Sequence, residues 1–283
     1  MYNNFYYLLS VIMKILLLSY NNLKKIEIIK RPSKICKTPY VGDAIIRDDS
    51  EKSEFMIHTP SLGCCGLCEK ESIVYGMPLN NEKIKCSYRS IISFDSKNNN
   101  SLVGIDPSHG EKIVELVFEN NLLSNLINIK NYKKQVTFNK SRFDYAGELQ
   151  DNRKFILEVK SVPLQENNIA YFPDGYRKKK TDLVSPRAFK HIEELSQICQ
   201  NNNVNESTDN YNCYMCYVIQ RNDINKFMIS NNDKIYKDAV QKAMENNVKI
   251  IVIVCHWDND GNLYLIYDKC KLFSNFEDIF NLY

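Results

Sequence analysis

The stretch that decides the fold is SRFDYAGELQDNRKFILEVKSVPL, residues 141–164. Two largely apolar runs, RFDYAGEL and FILEVKSV, flank the polar loop QDNR, and this pattern predicts an antiparallel β-hairpin. In the second run Glu158 and Lys160 stand two residues apart, so their side chains share one face of the strand, whereas Leu157 and Val159 point to the other face. An acid and a lysine on one face of an otherwise apolar strand mark that face as a candidate site.

Asp144 lies on the first strand of this hairpin. An odd-numbered loop, or a single bulge, would put Asp144 across from Glu158 or Lys160 on the same face, with Cβ atoms about 5 Å apart. Two carboxylates at that separation can share a Mg²⁺ ion, and a neighbouring ammonium can orient a water molecule or neutralise charge on phosphorus. A solvent-facing ion pair, worth about 0.5 kcal/mol, is the alternative, and these three residues alone leave both interpretations open.

The composition of the 283-residue chain is that of an ordinary globular protein. Its length suits one large domain or two ordinary ones. The formal net charge is only +3, so the chain has no overall basic signature. A surface that binds nucleic acid would therefore have to be a local patch.

The first twenty residues, MYNNFYYLLSVIMKILLLSY, are apolar enough to raise the question of a signal peptide. They lack a basic amino-terminal region and a small-residue cleavage site, and Lys14 interrupts the apolar run. An uninterrupted span of about 20 apolar residues is also missing. We therefore expect residues 1–14 to be an N-terminal extension with no stable membrane association.

The ten cysteines include two C-x-x-C pairs. Cys213 and Cys216 fall in a predicted strand, where residues three apart point to opposite faces and cannot hold one ion. Cys65 and Cys68 lie in a loop that could bind zinc, but no second ligand pair follows at the spacing of a zinc ribbon. Scattered thiols inside the cell, in a reducing compartment such as the cytoplasm, are the expected arrangement.

The first third of the chain predicts a β-rich domain. Short apolar runs recur about every ten residues over 15–105, which is typical of a small barrel or sandwich, and residues 15–18 are its predicted first strand. Ser108 and Glu111 then fit the S-x-x-E capping box, which predicts a helix over about 108–125.

The remainder predicts an α/β domain over 106–283. From about residue 140 strands alternate with helices, which implies a mixed or partly parallel sheet with covered faces. Ser185 and Pro186 are the predicted N-cap and first residue of one helix, and Asp233 caps another that runs to about Asn247.

Several unusual motifs also follow one another in a fixed order. They are IIKRPSKICKTPYVGDAII, HTPSLGCCGL, LVGIDPSHGEKIVELVFENNLL, Arg142–Phe143–Asp144, LEVKSVPL, AYFPDGYR, SPRAFKHIEEL and YVIQRND. Together they resemble the sugar fermentation stimulation protein A (SfsA) family over roughly residues 15–257.

This resemblance implies an α+β protein of two domains, an OB-like β-barrel followed by a PD-(D/E)XK restriction-endonuclease-like α/β domain. Asp144 then matches the first acid of the nuclease motif, and Glu158 and Lys160 match its (D/E)-x-K. Glu115, on the helix between the domains, is a candidate for the further acid that the first helix of this fold often supplies. The implied cofactor is Mg²⁺ or Mn²⁺, and the implied partner is DNA. The family motifs also contain four residues to which we assign no role: Asp174, Gln220, Arg221 and Asp223.

Two basic segments are candidates for contact with phosphates. Arg31, Lys34 and Lys37 cluster between the first barrel strands, near Tyr40, although a solvated loop is an equal alternative. The second segment adds positive charge beside the acids of the hairpin, and it consists of Arg177, Lys178, Lys179 and Lys180.

The sequence therefore predicts a DNA-binding protein that acts as a Mg²⁺-dependent nuclease or phosphodiesterase. The alternative is a non-catalytic DNA-binding regulator that keeps the nuclease-like fold. A protein acting on a small metabolite of a sugar pathway is a third possibility that the family name suggests, but no site in the chain argues for it.

Overall fold

The structure is a computed structural model that describes residues 12–61, 66–80, 84–138, 141–173, 175, 179, 182–204 and 210–283. The strands are β1 (Lys14–Ser19), β2 (Lys24–Lys30), β3 (Val41–Ile46), β4 (Phe55–His58), β5 (Ile73–Pro78), β6 (Tyr88–Asp95), β7 (Ser101–Gly104), β8 (Ile129–Phe138), β9 (Ser141–Leu149), β10 (Lys154–Ser161), β11 (Gln165–Glu166), β12 (Ile169–Phe172), β13 (Tyr211–Gln220), β14 (Lys226–Ile229), β15 (Lys249–Trp257), β16 (Asn262–Ile266), β17 (Lys271–Phe273) and β18 (Phe280–Asn281). The helices are α1 (Pro107–Glu119), α2 (Pro186–Val204) and α3 (Lys234–Glu245).

Five strands, β2 to β6, close into a small barrel. They follow the order β4-β3-β2-β5-β6, and parallel pairing of Ile57 with Tyr88 and of His58 with Arg89 joins β4 back to β6. β7 extends the sheet by pairing with β6. The barrel interior is filled by buried apolar residues that include Ile26, Ile28, Ala44, Ile57 and Val74. The OB-like barrel that the motifs implied is therefore confirmed.

Strand β1 lies outside this barrel. The sequence predicted residues 15–18 as the first barrel strand, but β1 pairs antiparallel with β16 at one edge of the large sheet. The barrel closes without it, and Ile15 and Leu17 pack against the core of the second domain. The prediction was wrong because an alternating apolar pattern indicates that a strand forms but not which sheet it joins.

The second domain is built on an eight-stranded mixed sheet in the order β1-β16-β15-β13-β10-β9-β8, with β17 paired to β15. Its centre, β10, β13 and β15, is parallel, and the outer strands are antiparallel. The central strands β13 and β15 are almost wholly buried, as expected for parallel strands covered on both faces. α1 packs on one face, and α2 and α3 pack on the other. This architecture confirms the predicted α/β domain.

Helix α1 begins earlier and ends earlier than predicted. Its N-cap is Asp106, whose carboxylate accepts a hydrogen bond from the backbone N–H of Ser108 at 3.0 Å, and Pro107 takes the first helical position. The assignment of Ser108 as the cap was therefore wrong. The helix stops at Glu119, because Asn120 forms the C-cap and Asn121 adopts a positive φ of 52°.

Close packing brings α1 onto β10, where the candidate acids lie. A Cβ atom on Gly110 would come within 2.6 Å of the Ser161 hydroxyl, so a larger residue there would force this side chain to rotate away. The apolar face of α1 is buried at Ile113, Val114 and Val117.

The starts of the other two helices are confirmed. α2 begins at Pro186. The side chain of Asp233 caps α3 by accepting a hydrogen bond from the backbone N–H of Tyr236 at 3.1 Å, and α3 ends at Glu245, close to the predicted limit. A small sheet, β11-β12-β14-β18, completes the domain. None of the helices in the described part of the chain is long and apolar enough to span a bilayer.

The buried cysteines of β13 behave as the strand period predicts. Cys213 packs in the core on the α2 side of the sheet, and Cys216 packs in the core on the α1 side. The pair therefore cannot hold one ion. Cys65, of the other pair, lies outside the described residues.

A fully buried arginine joins the two domains. Arg221, at the end of β13, donates to Asp223 through Nε at 2.9 Å and through Nη2 at 2.8 Å. Its Nη2 also donates to Asp95, the last residue of β6 in the barrel, at 2.8 Å. Arg221 is 0% exposed, and within the described residues these hydrogen bonds, together with one to the carbonyl of Pro163, compensate for its burial.

We expect Arg221→Met to lower the free energy of unfolding by about 3–5 kcal/mol, because it leaves two carboxylates facing each other without their partner. Urea denaturation followed by circular dichroism measures this change. The matched control is Arg153→Met, because Arg153 pairs with Asp151 on the exposed surface and its removal should change the urea midpoint very little. Equal midpoints for Arg221→Met and the unmodified protein would contradict the role of this junction.

Candidate active site

Of the two positions that the sequence left open for Asp144, opposite Glu158 or opposite Lys160, the β9–β10 hairpin adopts the first. Lys154 pairs with Glu148 and Leu157 pairs with Tyr145, so the next position sets Asp144 across from Glu158. The ladder ends before that position. Instead, the Asp144 carboxylate Oδ2 accepts a hydrogen bond from the backbone N–H of Val159 at 2.7 Å. The Asp144 side chain thus provides a hydrogen-bond acceptor for β10 at the point where backbone pairing between β9 and β10 ends.

The alternation of side chains between the two faces of the sheet is interrupted in β9 at Asp144. Phe143 packs in the core on the α2 side, whereas Tyr145 packs in the core on the α1 side. Residues two apart on a regular strand share a face, so β9 is locally twisted between them. On the neighbouring strand Gln135 has a positive φ of 54°, and its side-chain amide donates to Asp144 Oδ1 at 3.2 Å. This irregularity aims the Asp144 carboxylate at β10.

Glu158 is held inside the protein with one oxygen engaged. It is 1% exposed, and its Oε1 is hydrogen-bonded to both the Lys160 ammonium and Nδ1 of His191 on α2. Its other oxygen, Oε2, is buried and has no hydrogen-bond partner in the described part of the chain. An unsatisfied buried carboxylate oxygen is costly, and it is a free position for a cation or a donor.

The pKa values of the two carboxyl groups are shifted in opposite directions. Burial first, and then the charge of Glu158, raise the pKa of Asp144 to about 6. Burial also acts to raise the pKa of Glu158, but the hydrogen bond from His191 and the charge of Lys160 outweigh it, and the pKa of Glu158 is lowered. Two neighbouring carboxyl groups whose pKa values are shifted in opposite directions are typical of functional sites.

Asp144, Glu158 and Lys160 line one cavity of about 330 Å³ between the two domains. The structure thus brings the three candidate residues of the hairpin together at one cavity. On the barrel side the cavity is bounded by Ser61 and by residues of the β7–α1 connection, and α2 contributes Arg187.

A different acid of α1 from the one predicted reaches this cavity. Glu111 lines it and accepts a hydrogen bond at 2.9 Å from the Gln135 amide that also contacts Asp144. Glu115, one turn further along, forms ion pairs with Lys112 at 3.0 Å and Lys134 at 2.5 Å and does not line the cavity. Sequence reasoning chose the wrong turn of the helix, although both acids share one helical face.

The basic residues of the barrel were predicted to contact phosphates, and the structure gives them different surroundings. The Arg31 side chain is 3% exposed, and its guanidinium binds Glu69 at 3.1 Å and the carbonyl oxygens of Pro39 and Ser61. It is a structural clamp, so its proposed contact with phosphate is corrected. Lys34 pairs with Glu54 at 2.9 Å on the surface, and Lys37 is exposed.

The second basic segment lies mostly outside the described residues, which exclude Arg177, Lys178 and Lys180. Lys179 is exposed, and its backbone N–H donates to the Asp182 carboxylate at 3.1 Å.

The motif residues of unassigned role are structural where they are described. Arg221 and Asp223 form the domain junction given above. Gln220 accepts a hydrogen bond from the Trp257 indole at 3.2 Å, and a Cβ atom on Gly104 would collide with its side chain. Asp174 lies outside the described residues.

Comparisons with known proteins agree with this architecture. Residues 108–261, more than half of the chain, match the family described as "Sugar fermentation stimulation protein RE domain". The chain belongs to the sugar fermentation stimulation protein family. Apart from Pro107, α1 lies inside the matched segment, as do the hairpin and α2, so the candidate acids belong to the family domain.

Relatives extend this match beyond the second domain. The chain is 30% identical over 240 residues to the sugar fermentation stimulation protein homolog of Clostridium botulinum, covering 83% of this chain and 90% of the relative. The homolog of Clostridium kluyveri is 26% identical over 255 residues, covering 89% and 98%. The structure of Pyrococcus furiosus SfsA in complex with Ca²⁺ matches with a TM-score of 0.71 at 20% identity, covering 89% of this chain and 96% of that one. At that identity the likeness concerns the fold, and it supports the barrel followed by the α/β domain.

The donors in the cavity of this family member fit a hard divalent cation. The described residues contain no group of three Asp, Glu, His or Cys side chains that could hold a metal ion by themselves. Asp144 and Glu158 nevertheless supply two carboxylates, one with the unpartnered oxygen described above. Mg²⁺ usually keeps several water molecules and is bound through one or two carboxylates. The set therefore suits Mg²⁺ or Mn²⁺ with substrate and water completing its shell.

The raised pKa of Asp144 gives a stability test in metal-free buffer. Its folded pKa, about 6, lies above the ordinary value of 3.8, so the folded state binds the proton more tightly. That contribution to stability is complete below about pH 4 and is lost as the pH rises through 6. Asp144→Asn, which resembles the protonated form, should therefore raise the free energy of unfolding by about 1–3 kcal/mol at pH 8 and change it little at pH 4.

Urea denaturation in EDTA at the two pH values measures this effect. The control is Asp151→Asn on the exposed hairpin loop, which should give no gain at pH 8. A loss of stability for Asp144→Asn at pH 8 would show that the buried carboxylate is not strained.

Proposed function

We propose that this protein is a divalent-metal-dependent phosphodiesterase that cleaves DNA. The observation that carries the proposal is the buried pair Asp144 and Glu158. One of their carboxylate oxygens has no partner among the described residues, at a cavity that also contains Lys160. The Pyrococcus furiosus relative is described in complex with Ca²⁺, which supports a role for a divalent cation.

Asp144 and Glu158 are the residues that would hold the metal ion, and Glu111 lies at the same cavity as a further acid. When bound, a divalent cation supplies Lewis acidity toward a phosphoryl oxygen and lowers the pKa of a water molecule. The site favours such a cation because its carboxylates repel each other in a low-dielectric setting.

The remaining side chains position and neutralise charge. Lys160 carries only donors, so it can hold an attacking water through its oxygen and offset negative charge on a phosphoryl group. Its side chain is 14% exposed, which keeps the ammonium at the cavity rather than in bulk solvent. His191 fixes Oε1 of Glu158 from α2, and Gln135 joins Glu111 to Asp144. These contacts hold the acids before substrate arrives, which is what preorganisation requires.

DNA is the proposed substrate because the cavity opens between an OB-like barrel and a nuclease-like domain. Such barrels commonly bind nucleic acid on one face. The exposed Lys37 and Tyr40 on the β2–β3 loop of the barrel are suited to contact phosphates and bases. Arg187 and the basic segment around Lys179 add positive charge on the other domain.

We also place this activity in the cytoplasm. No disulfide bond links the cysteines of the described residues, and all of them except Cys36 are buried. Such thiols persist in a reducing compartment.

Substitutions of Glu158 and Lys160 distinguish an enzyme from a protein that only binds DNA. Glu158→Gln keeps the shape but removes a charged ligand, so Mg²⁺-dependent cleavage of labelled DNA should fall by at least about 100-fold. Binding of DNA in EDTA should persist, because a negative charge near the phosphates has been removed. Lys160→Ala should also lower turnover but change metal affinity little, since an ammonium is not a ligand.

The control is Glu148→Gln on the exposed face of the same hairpin, which should cleave like the unmodified protein. Activity of Glu158→Gln at the unmodified level would assign the cleavage to another site. Absence of metal-dependent cleavage in the unmodified protein, with DNA binding retained, would favour the non-catalytic regulator.

The basic segment gives a separate test of DNA contact. Replacing Lys178, Lys179 and Lys180 by Gln should weaken binding and flatten the dependence of log affinity on log salt, by about 0.9 for each lost phosphate contact on duplex DNA. Fluorescence anisotropy at several salt concentrations measures the slope. The matched control replaces Lys24, Lys25 and Lys52, which lie at the end of the barrel away from Ser61. An unchanged slope in the first variant would mean that the segment is solvated and makes no contact with DNA.

A further inference from the structure

The cavity beside the acids has an apolar wall that metal binding does not require. Pro163 and Leu164, which follow β10, and Tyr171 and Phe172 of β12 line it together with the acids. Phe172 is braced from behind, because its ring packs against Tyr217 at 5.5 Å and Tyr236 at 5.6 Å between centroids. An apolar, partly aromatic wall next to charged groups is typical of a pocket for an organic ring.

A positively charged side chain at the same cavity has no evident structural role within the described residues. Arg187 lines the cavity from the first turn of α2, is exposed, and has no ion-pair or hydrogen-bond partner within the described residues. The first turn of a helix favours acidic side chains, and a positive charge there is mildly unfavourable. A phosphate between the acids and α2 would give this guanidinium a bidentate partner.

The acids are also set back from the surface. Asp144 is 5% exposed and Glu158 is 1% exposed, and the cavity is lined from the barrel side by Ser61, Gly104, Ile105 and Pro107. Its volume of about 330 Å³ lies at the lower end of the range for small-molecule sites, about 300–1,000 Å³. A phosphodiester can reach such recessed groups most easily when the nucleotide that carries it has left the base stack.

From these observations we propose that the cavity takes one unpaired nucleotide of a DNA strand. Its base lies against Tyr171 and Leu164, and its phosphate lies between the acids and Arg187. This inference rests on the proposed function and specifies its substrate, which is DNA that is single-stranded or has an unpaired nucleotide at the point of cleavage. A nucleotide that is already unpaired avoids the cost of unstacking, so it should be preferred over a fully paired duplex.

The test uses the full chain carrying Glu158→Gln, with Ca²⁺ and oligonucleotides of one sequence that contain 2-aminopurine. Three forms are compared: a single strand, a paired duplex, and a duplex in which the 2-aminopurine is unpaired. Anisotropy gives the affinity, and 2-aminopurine emission reports whether the base stacks on the protein. The two unpaired forms should bind about 10-fold more tightly than the paired duplex, and their emission should change on binding.

Variants at the wall identify the residues. Adding Tyr171→Ala should remove the emission change and most of the 10-fold preference, whereas Tyr171→Phe, which keeps the ring, should retain both. Adding Arg187→Ala should weaken binding of all three forms by a similar factor, because a phosphate contact carries no information about pairing. Tyr283→Ala, at a tyrosine that is 72% exposed and does not line the cavity, is the control for general loss of an aromatic ring.

Equal affinities for paired and unpaired forms, or an emission change that survives Tyr171→Ala, would overturn the inference. Cleavage by the unmodified protein separates the two proposals. Equal rates on duplex and single strand would refute the unpaired-nucleotide pocket and leave the phosphodiesterase intact. A preference and emission change as expected, without cleavage of any form, would support the pocket and refute the phosphodiesterase.

Discussion

Two like charges buried on adjoining strands set the constraint on which the site depends. Asp144 and Glu158 lie across from each other where the β9–β10 ladder ends, and neither is exposed enough to be screened by water. Different groups hold each of them. The Val159 N–H and the Gln135 amide hold Asp144, and Lys160 and His191 hold Glu158. These contacts fix the geometry but do not cancel the charge, which explains why the pKa of one acid rises while that of the other falls.

The acids cannot simply turn away from each other. If the Asp144 side chain left β10, the backbone N–H of Val159 would lose its partner in a buried strand, at a cost of about 1–3 kcal/mol. Glu158 is similarly confined between β10 and α2. The fold therefore maintains an arrangement that is unfavourable without a cation, and strain kept in this way is characteristic of sites that bind one.

The barrel is tied to this site by a short series of charged contacts. Arg89 of β6 makes a bidentate pair with Asp106, at 2.6 and 2.8 Å, and Asp106 is also the N-cap of α1. α1 in turn carries Glu111 to the cavity. A change in the orientation of the barrel would therefore act on the start of α1 and on the position of Glu111. The buried Arg221 restrains the same junction from the end of β13.

The sequence was informative where local rules apply. The hairpin and the shared face of Glu158 and Lys160 followed from the strand period, and Pro186 and Asp233 marked two helix starts correctly. The register that sets Asp144 across from Glu158 depended on a loop length that the sequence left open. The sequence failed where the answer depends on distant partners. The choice between Glu111 and Glu115 depends on which turn of α1 faces β9, and the roles of Arg31 and β1 depend on loops and strands far along the chain.

The contact between His191 and Glu158 was likewise not predictable from the sequence. Nothing in the helical period of α2 shows that Glu158 lies beneath His191. The segment SPRAFKHIEEL contained the available signal, since it is part of the motif series that identifies the family. A motif can thus mark a residue as important before its contact is known, but the contact itself needs the strand and the helix to be placed together.

Chemistry and access come from separate parts of the chain. The charged groups that line the cavity among the described residues, from Glu111 to Arg187, all lie within the family domain, whereas Ser61 and Gly104 of the barrel and Ile105 and Pro107 of the connection to α1 line it from the barrel side. The acids therefore depend on the α/β domain for their geometry, and the barrel contributes part of the wall beside them. Substitutions of the barrel residues that line the cavity should leave the charge and hydrogen-bond interactions of the acids in place, because the groups that shift the pKa of Asp144 and Glu158 through charge or hydrogen bonds lie on α1, β10 and α2. Such substitutions would act on these pKa values through burial, which acts to raise both.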